Sequence, residues 1–293
     1  MSLKKIAITT DTNSGMFPHE HDDIGLFVLP MPFIIDGADY LESVNLSRSD
    51  FYEKLVSNAD IKTSQPSPSD VEDFWREILK EYDEIVHVPT SSLLSNSFST
   101  AKALAESEEF AGKVYLVDNH RISIVLKSSA FDAVALRDKG LSAAEIAKTL
   151  EEQSKDYSVY FSLDTMKYLK KGGRITPVAA MIGSILKLRP ILTLQGGAIE
   201  KFQIAKSINQ AKEMMKKAVK ADLAGKFNEL YKNGEMCLAV IYGENPAESE
   251  SYVEDVKAAF PDLEVRYFDP ISLSVACHTG PKVYALACMR IVK

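Results

Sequence analysis

The first half of the chain alternates short apolar segments with amphipathic ones, and this alternation limits the possible folds more than any other feature. Apolar segments that predict strands lie at 5–10, 26–28, 85–88 and 114–117. Between them, the spacing of Val71, Trp75 and Ile78 follows the period of a helix. Strands that alternate with helices pair in parallel and carry helices on both faces. The sequence therefore predicts a doubly wound, mostly parallel α/β sheet.

The second half of the chain has a different pattern. Gly196-Gly197 separates two strand-like segments, 190–195 and 198–203, and this predicts a β-hairpin. Further strand patterns lie at 158–163, 238–242, 264–267 and 283–291, and helical patterns at 177–187 and 208–221. We predict an α/β domain at 1–156 and a smaller α+β domain with a mixed sheet at 157–293. A cleft between two packed domains is a natural ligand site.

Composition and charge exclude several classes of protein. The chain has 34 Lys plus Arg and 41 Asp plus Glu, a net charge of −7, without a long basic run, which argues against nucleic-acid binding. The longest apolar run, Ile24 to Ile35, is interrupted by glycine and proline and is shorter than the about 20 residues of a membrane span. Three cysteines without CxxC spacing indicate neither a disulfide framework nor a zinc site. With no leader-like opening segment, we expect a cytoplasmic protein.

Hydroxyl-rich loops follow the predicted strands of the first half. Thr63 and Ser64 precede a helix whose start is predicted by the capping pair Ser67 and Asp70. A second loop, 89–97, brings Ser95 and Asn96 to the start of the next helix, and a third, 10–14, follows the first strand. In a parallel sheet these loops meet at one edge, where helix N-termini attract anions. Neutral donors suit a small monoanion such as a carboxylate; the alternative is that these residues only cap helices.

Two other segments are candidates for the same site. Lys170 to Ile175 contains Gly172-Gly173 followed by Arg174, and His278 stands before a Gly-Pro turn and the last strand. The alternative for the first is a helix C-cap with a solvated arginine, and for the second a structural histidine. The chain contains neither GxxxxGK[ST] nor GxGxxG, and it also lacks GxSxG. These absences argue against a self-sufficient kinase, a nicotinamide enzyme and a lipase.

Several of these segments, taken in order, resemble the motifs of one family, the DegV family of bacterial fatty-acid-binding proteins. Thr10-Asp-Thr-Asn-Ser14 resembles the opening T-D-S-T/N-S/A, and Lys62-Thr-Ser-Gln-Pro-Ser67 resembles the distinctive T-S-Q-P-S. The other matches are Ser91-Ser-Leu-Leu-Ser95, Val117-Asp-Asn119, Tyr168-Leu-Lys-Lys-Gly-Gly-Arg-Ile175 and His278-Thr-Gly-Pro281. The resemblance extends through nearly the whole chain.

The resemblance implies two α/β domains with a long-chain fatty acid in a tunnel between them. It implies that Thr63 and Ser95 hold the carboxylate, with Arg174 and His278 close by, and we add their neighbours Ser64 and Asn96 to the set. It also implies a non-catalytic protein without a cofactor, which carries the acyl chain for a separate ATP-binding subunit of a fatty-acid kinase.

The chain departs from the family pattern at three places. Asn96-Ser97 stands where Gly-Thr is usual, Lys282-Val-Tyr284 where Gly-Ala is usual, and Val125 and Lys127 where glycines are expected. Two other functions stay open at this point. One is an independent acyl hydrolase that uses Ser95 with His278, and the other is a regulatory protein that has lost acyl binding.

Overall fold

The computed structural model describes residues 4–173 and 188–292. Its strands are β1 Ile6–Asp11, β2 Leu26–Leu29, β3 Pro32–Ile35, β4 Ala38–Leu41, β5 Ile61–Thr63, β6 Glu84–His87, β7 Val114–Leu116, β8 Tyr157–Leu163, β9 Arg189–Gln195, β10 Ala198–Ala205, β11 Met236–Tyr242, β12 Val265–Pro270 and β13 Val283–Arg290. Its α-helices are α1 Arg48–Val56, α2 Pro68–Ile78, α3 Ser97–Ala105, α4 Ile124–Asp138, α5 Ala143–Glu152, α6 Lys167–Lys171, α7 Ile208–Ala224, α8 Asn228–Lys232, α9 Ala247–Ala259 and α10 Leu273–Thr279. Within these ranges, none of the helices combines the length and the apolar character needed to span a bilayer.

The first sheet is parallel and covered on both faces, as the sequence predicts. Its strand order is β2-β1-β6-β7, with parallel pairing throughout. Residues of α4 and α5 pack against one face in a core with Ile8 and Val86. Residues of α2 and α3 pack against the other face with Ala7 and Ile85. The doubly wound arrangement places the loops after β1 and β6 at one edge.

A small antiparallel sheet, of order β4-β3-β5, is not among the elements predicted from the sequence. The sequence predicts one strand, at 26–28, within the apolar run 24–35, whereas the structure divides that run into β2 and β3. The missed signal is Asp36-Gly37 between β3 and β4, because both residues have positive φ, 50° and 84°. Two consecutive left-handed residues make a tight hairpin turn, for which Asp-Gly is a preferred pair.

The second large sheet is mixed, also as predicted, with the order β10-β9-β8-β13-β11-β12. Among the described strands of this sheet, only β11 and β12 pair in parallel, and the Gly196-Gly197 hairpin joins β9 to β10. Residues of α7 and α9 pack against one face of the sheet. The opposite face packs against the small sheet, α1 and α10 in a shared core. The domain limits 1–156 and 157–293 stay a prediction, and the helical pattern at 177–187 lies outside the described residues.

The short helix α10 corrects the sequence-based placement of His278. We expected His278 in a turn before the last strand, but it lies in the last turn of α10, ahead of Gly280 and Pro281. Ser272 caps this helix by accepting a hydrogen bond from the Val275 N–H, at 3.4 Å. A serine three residues before the N–H that donates to it is a capping signal present in the sequence.

Candidate functional site

A cavity of about 340 Å³ lies between the carboxyl edge of the parallel sheet and the inner face of the mixed sheet. This volume falls in the range of ligand pockets, roughly 300 to 1,000 Å³. The mixed sheet contributes apolar side chains from five strands: Val159, Phe161, Leu194, Ile199, Ile241, Val283 and Ala285. Because side chains alternate along a strand, Val159 and Phe161 face the cavity while Tyr160 between them packs toward α7.

The polar side chains of the cavity come mainly from the other wall. Five of the six residues selected from the sequence line it: Thr63, Ser64, Ser95, Asn96 and His278. Ser64 and Asn96 are exposed, whereas Thr63, Ser95 and His278 are half-buried. This gradient marks the polar group as the mouth of the cavity. Arg174 lies outside the described residues, so its place in the site stays a prediction.

Thr63 reaches the cavity from a strand rather than from a helix N-terminus. It is the last residue of β5 and pairs with Phe33 of β3, and the next N–H, that of Ser64, donates to the Pro32 carbonyl at 3.1 Å. Helix α2 begins later, with the predicted capping box between Ser67 and Asp70. The small sheet, rather than the helix, therefore positions Thr63, and our expectation that the N-terminus of α2 attracts an anion there stays a prediction.

His278 faces Thr63 across the mouth. Its Nε2 atom lies 3.3 Å from the Thr63 hydroxyl oxygen. The other side of the imidazole packs on Gly172, where an added Cβ would lie only 2.0 Å from Nδ1. Gly172 has φ −79°, so its backbone suits any residue and the missing side chain is what matters. Gly172 therefore makes room for the imidazole at the end of α6.

Ser95 and Asn96 lie in the loop that enters α3. The Ser95 hydroxyl oxygen accepts the Ser97 N–H at 3.2 Å and lies 3.0 Å from the Ser97 hydroxyl. Asn96 is the N-cap residue of α3, but its side chain makes no capping hydrogen bond. The exposed Asn96 amide therefore does not cap the helix. Glycine is usual at this position in the family pattern.

Six further polar residues, which were not selected from the sequence as site residues, also line the cavity: Asn13, Gln65, Thr90, Ser123, Ser274 and Thr279. Asn13 is their centre, because its backbone carbonyl accepts the Ser123 N–H at 2.8 Å and its side-chain oxygen accepts the Ser274 hydroxyl. The third predicted loop, 10–14, thus contributes an amide rather than a hydroxyl. Thr90 and Ser123 had a usable signal, since both follow strands of the parallel sheet.

The remaining histidines do not belong to this site. Burial lowers the pKa of His87 to about 3, and the neutral ring lies 2.7 Å from the Thr9 hydroxyl, a structural role. His19 is largely exposed and pairs with Asp22 at 2.8 Å. Within the described ranges there is no group of three or more potential metal ligands.

Comparison with known proteins identifies the family. The protein-family model described as "Uncharacterised protein, DegV family" matches residues 5–290. The chain therefore belongs to the DegV family. A DegV domain-containing protein of Staphylococcus aureus strain MRSA252, SAR1438, is 27% identical, over 98% of this chain and 100% of the relative.

Two solved structures share the fold. One is described as showing fatty acid binding of a DegV family protein from Thermus thermophilus, with 28% identity and a TM-score of 0.85, covering 98% of this chain and 100% of the other. The second is DegV of Bacillus subtilis, described as a fatty acid binding protein, with 25% identity and a TM-score of 0.83, covering 98% and 99%.

The packing of His278 on Gly172 generates a first prediction. We expect Gly172→Ala to lower the free energy of unfolding by about 1–3 kcal/mol, because the methyl group overlaps the imidazole. In a His278→Ala background the same change should be neutral or stabilising by up to about 1 kcal/mol, since alanine is the better helix former. Chemical denaturation of the four proteins in this double-mutant cycle measures the coupling. Equal effects of Gly172→Ala in both backgrounds would contradict the proposed contact.

Proposed function

We propose that this protein binds a long-chain fatty acid, with the acyl chain in the apolar cavity and the carboxylate at the polar mouth. The observation that carries the proposal is the division of the cavity into an apolar wall of sheet residues and a cluster of hydroxyl, amide and imidazole groups at its mouth. The descriptions of the T. thermophilus and B. subtilis structures as fatty-acid binders support it.

The two parts of the cavity contribute differently to binding. Burial of each CH₂ group stabilises the complex by about 0.8 kcal/mol. The total for an acyl chain of about 16 carbons is therefore larger than the free-energy cost of association. The mouth has the task of orienting the carboxylate. Thr63 and Ser95 offer hydroxyl donors, and we place Ser64, Asn96, His278 and Arg174 around them. No cofactor is required besides the bound fatty acid.

We further propose that the protein is not itself an enzyme but presents the carboxylate to a separate ATP-binding kinase subunit in the cytoplasm. A carboxylate oxygen then attacks the γ-phosphorus of ATP, giving acyl phosphate and ADP. The chain lacks both GxxxxGK[ST] and GxGxxG, which supports a division of labour between two subunits. The exposed position of Ser64 and Asn96 at the mouth supports access by a partner.

The acyl-hydrolase alternative receives less support. It requires a hydrogen bond between Ser95 and His278 and a third group that orients the histidine. The Ser95 hydroxyl instead lies against Ser97, and the His278 Nε2 atom lies against Thr63. Neither contact is the Ser95–His278 hydrogen bond that the hydrolase requires.

The first test is chemical identification of the ligand. We expect protein purified from bacterial cells to release a long-chain fatty acid on extraction with organic solvent, in near-stoichiometric amount, as measured by mass spectrometry. The alternative of a regulatory protein without acyl binding predicts no released lipid and no uptake of added fatty acid. Either negative result, obtained with folded protein, would contradict the proposal.

Removal of single hydroxyl groups tests the head-group site. A hydrogen bond to a charged carboxylate contributes about 1.5–3 kcal/mol, so Thr63→Val or Ser95→Ala should weaken fatty-acid binding about ten- to a hundredfold. Binding should not vanish, because the acyl chain remains buried. Ser99→Ala is the matched control, since Ser99 is exposed on α3 and does not line the cavity. The hydrolase alternative predicts instead intact binding and loss of an intrinsic esterase activity in Ser95→Ala.

The proposed division of labour has its own test. The isolated protein should neither bind nor hydrolyse ATP, whereas addition of a bacterial fatty-acid kinase subunit should yield acyl phosphate. His278→Ala should reduce this transfer more than it reduces fatty-acid affinity, because the transfer needs a correctly oriented carboxylate. Turnover of ATP by the purified chain alone would overturn the proposal.

A further inference from the structure

Helix α10 determines where one side of the mouth lies. Four of its residues line the cavity: Ser274, Val275, His278 and Thr279. A small rotation of so short a helix would move His278 away from Thr63. The groups that fix α10 therefore decide whether the polar mouth is formed.

Glu42 contacts the beginning of this helix from a distant part of the chain. The residue follows β4 and is only 2% exposed. Its Oε1 atom accepts the Leu273 N–H at 2.6 Å, and its Oε2 atom accepts the Thr12 hydroxyl at 2.9 Å. The Thr12 oxygen in turn accepts the N–H of Met31, a cavity residue, at 3.1 Å. One carboxylate thus joins α10 to the loop after β1 and, through Thr12, to the connection between β2 and β3.

The surroundings of Glu42 suit the ionised carboxylate, although its burial is costly. Burial raises the pKa of Glu42 to about 7, while the donors at Leu273 and Thr12 and the positive charge of Arg48 act in the opposite direction. Arg48 also donates to the Ile271 carbonyl at 2.8 Å, just before α10. The other titratable groups near Glu42 are Tyr52 and Cys277, and burial raises both of their pKa values. Burying a carboxylate is unfavourable unless it is hydrogen-bonded or paired with a positive charge, and the contacts of Glu42 meet this condition.

A second contact between the same two segments lies beside the first. Asn13, the neighbour of Thr12, accepts the Ser274 hydroxyl, and Ser274 is the neighbour of Leu273. Two adjacent residues of the β1 loop therefore hold two adjacent residues of α10, one of them through Glu42. Two contacts fix orientation as well as distance, which a single contact does not.

We propose that Glu42 is a positioning residue for the head-group site: it holds α10 so that His278 and Ser274 face the carboxylate of the ligand. This proposal rests on the proposed function, since it concerns the same mouth. It predicts that loss of Glu42 damages recognition of the carboxylate more than it damages burial of the acyl chain.

The test compares two ligands of equal chain length, palmitic acid and 1-hexadecanol, which differ only in the head group. The ratio of their affinities measures carboxylate recognition apart from chain burial and from overall stability. In Glu42→Ala we expect this ratio to fall at least about tenfold, with little change for the alcohol. Glu42→Gln should keep the ratio within about threefold of the wild type, because its amide can accept from Leu273 and donate to Thr12.

Asp132→Ala is the matched control. Asp132 is also a buried carboxylate, 4% exposed, which accepts the Val292 N–H at 2.8 Å away from the cavity. It should lower stability and leave the affinity ratio unchanged. If Glu42→Ala does not fold, Thr12→Val removes the anchor of Glu42 and should lower the ratio at least about threefold.

The possible outcomes are distinct. A wild-type ratio in Glu42→Ala, or in Thr12→Val where that variant carries the test, would overturn the positioning role. An equal loss in Asp132→Ala would do the same. A wild-type protein that binds neither ligand, or that does not prefer the acid, would instead refute the proposed function.

Discussion

The polar half of the site depends on the buried carboxylate of Asp11. This side chain is 2% exposed and accepts the N–H and the hydroxyl of Thr90, at 2.8 and 2.9 Å, and the Asn13 N–H, at 2.9 Å. Burial raises the pKa of Asp11, and these donors favour the ionised form. Because β1 and β6 are adjacent parallel strands, their loops leave the sheet at the same edge. Asp11 ties the two loops together there, and both Thr90 and Asn13 line the cavity.

From this point the hydrogen bonds extend to the other elements of the mouth. Asn13 accepts from Ser123, before α4, and from Ser274 in α10. Glu42 and Arg48 hold the beginning of α10, and the end of the helix brings His278 between Thr63 and Gly172. The mouth is therefore assembled from loops and helix ends that buried polar contacts hold in place. A buried hydrogen-bond network is rigid only when each donor and acceptor has a partner. This requirement explains why so many neutral donors and acceptors are concentrated at the mouth.

The apolar wall has a simpler origin. Alternation along β8 and its neighbours divides each strand between two cores, one under α7 and α9 and the other facing the cavity. A sheet suits such a wall because the backbone groups of its inner strands pair with neighbouring strands. The apolar wall thus comes mainly from the mixed sheet, whereas the polar groups come from loops of the first half of the chain and from α10.

Much of the fold could be predicted from local patterns. The parallel sheet, the Gly196-Gly197 hairpin and the capping box at Ser67 each depend on residues close together in the sequence. The small sheet and α10 were missed, although Asp36-Gly37 and Ser272 carried signals for both. Both signals are short, and Asp36-Gly37 directly follows the apolar run 24–35, which by itself shows no division into two strands.

Local patterns in the sequence are enough to predict most of the elements, their period and the hydroxyl-rich loops at one edge of the sheet. Which side chains meet depends on how distant segments pack together. Thr63 and His278 are 215 positions apart, and Glu42 and Leu273 are 231 apart. No local pattern specifies such a pair, because the contact forms only when two sheets pack and bring α10 against the loop after β1. The fit of an imidazole against Gly172 likewise depends on side-chain volume in three dimensions, which the order of residues does not express.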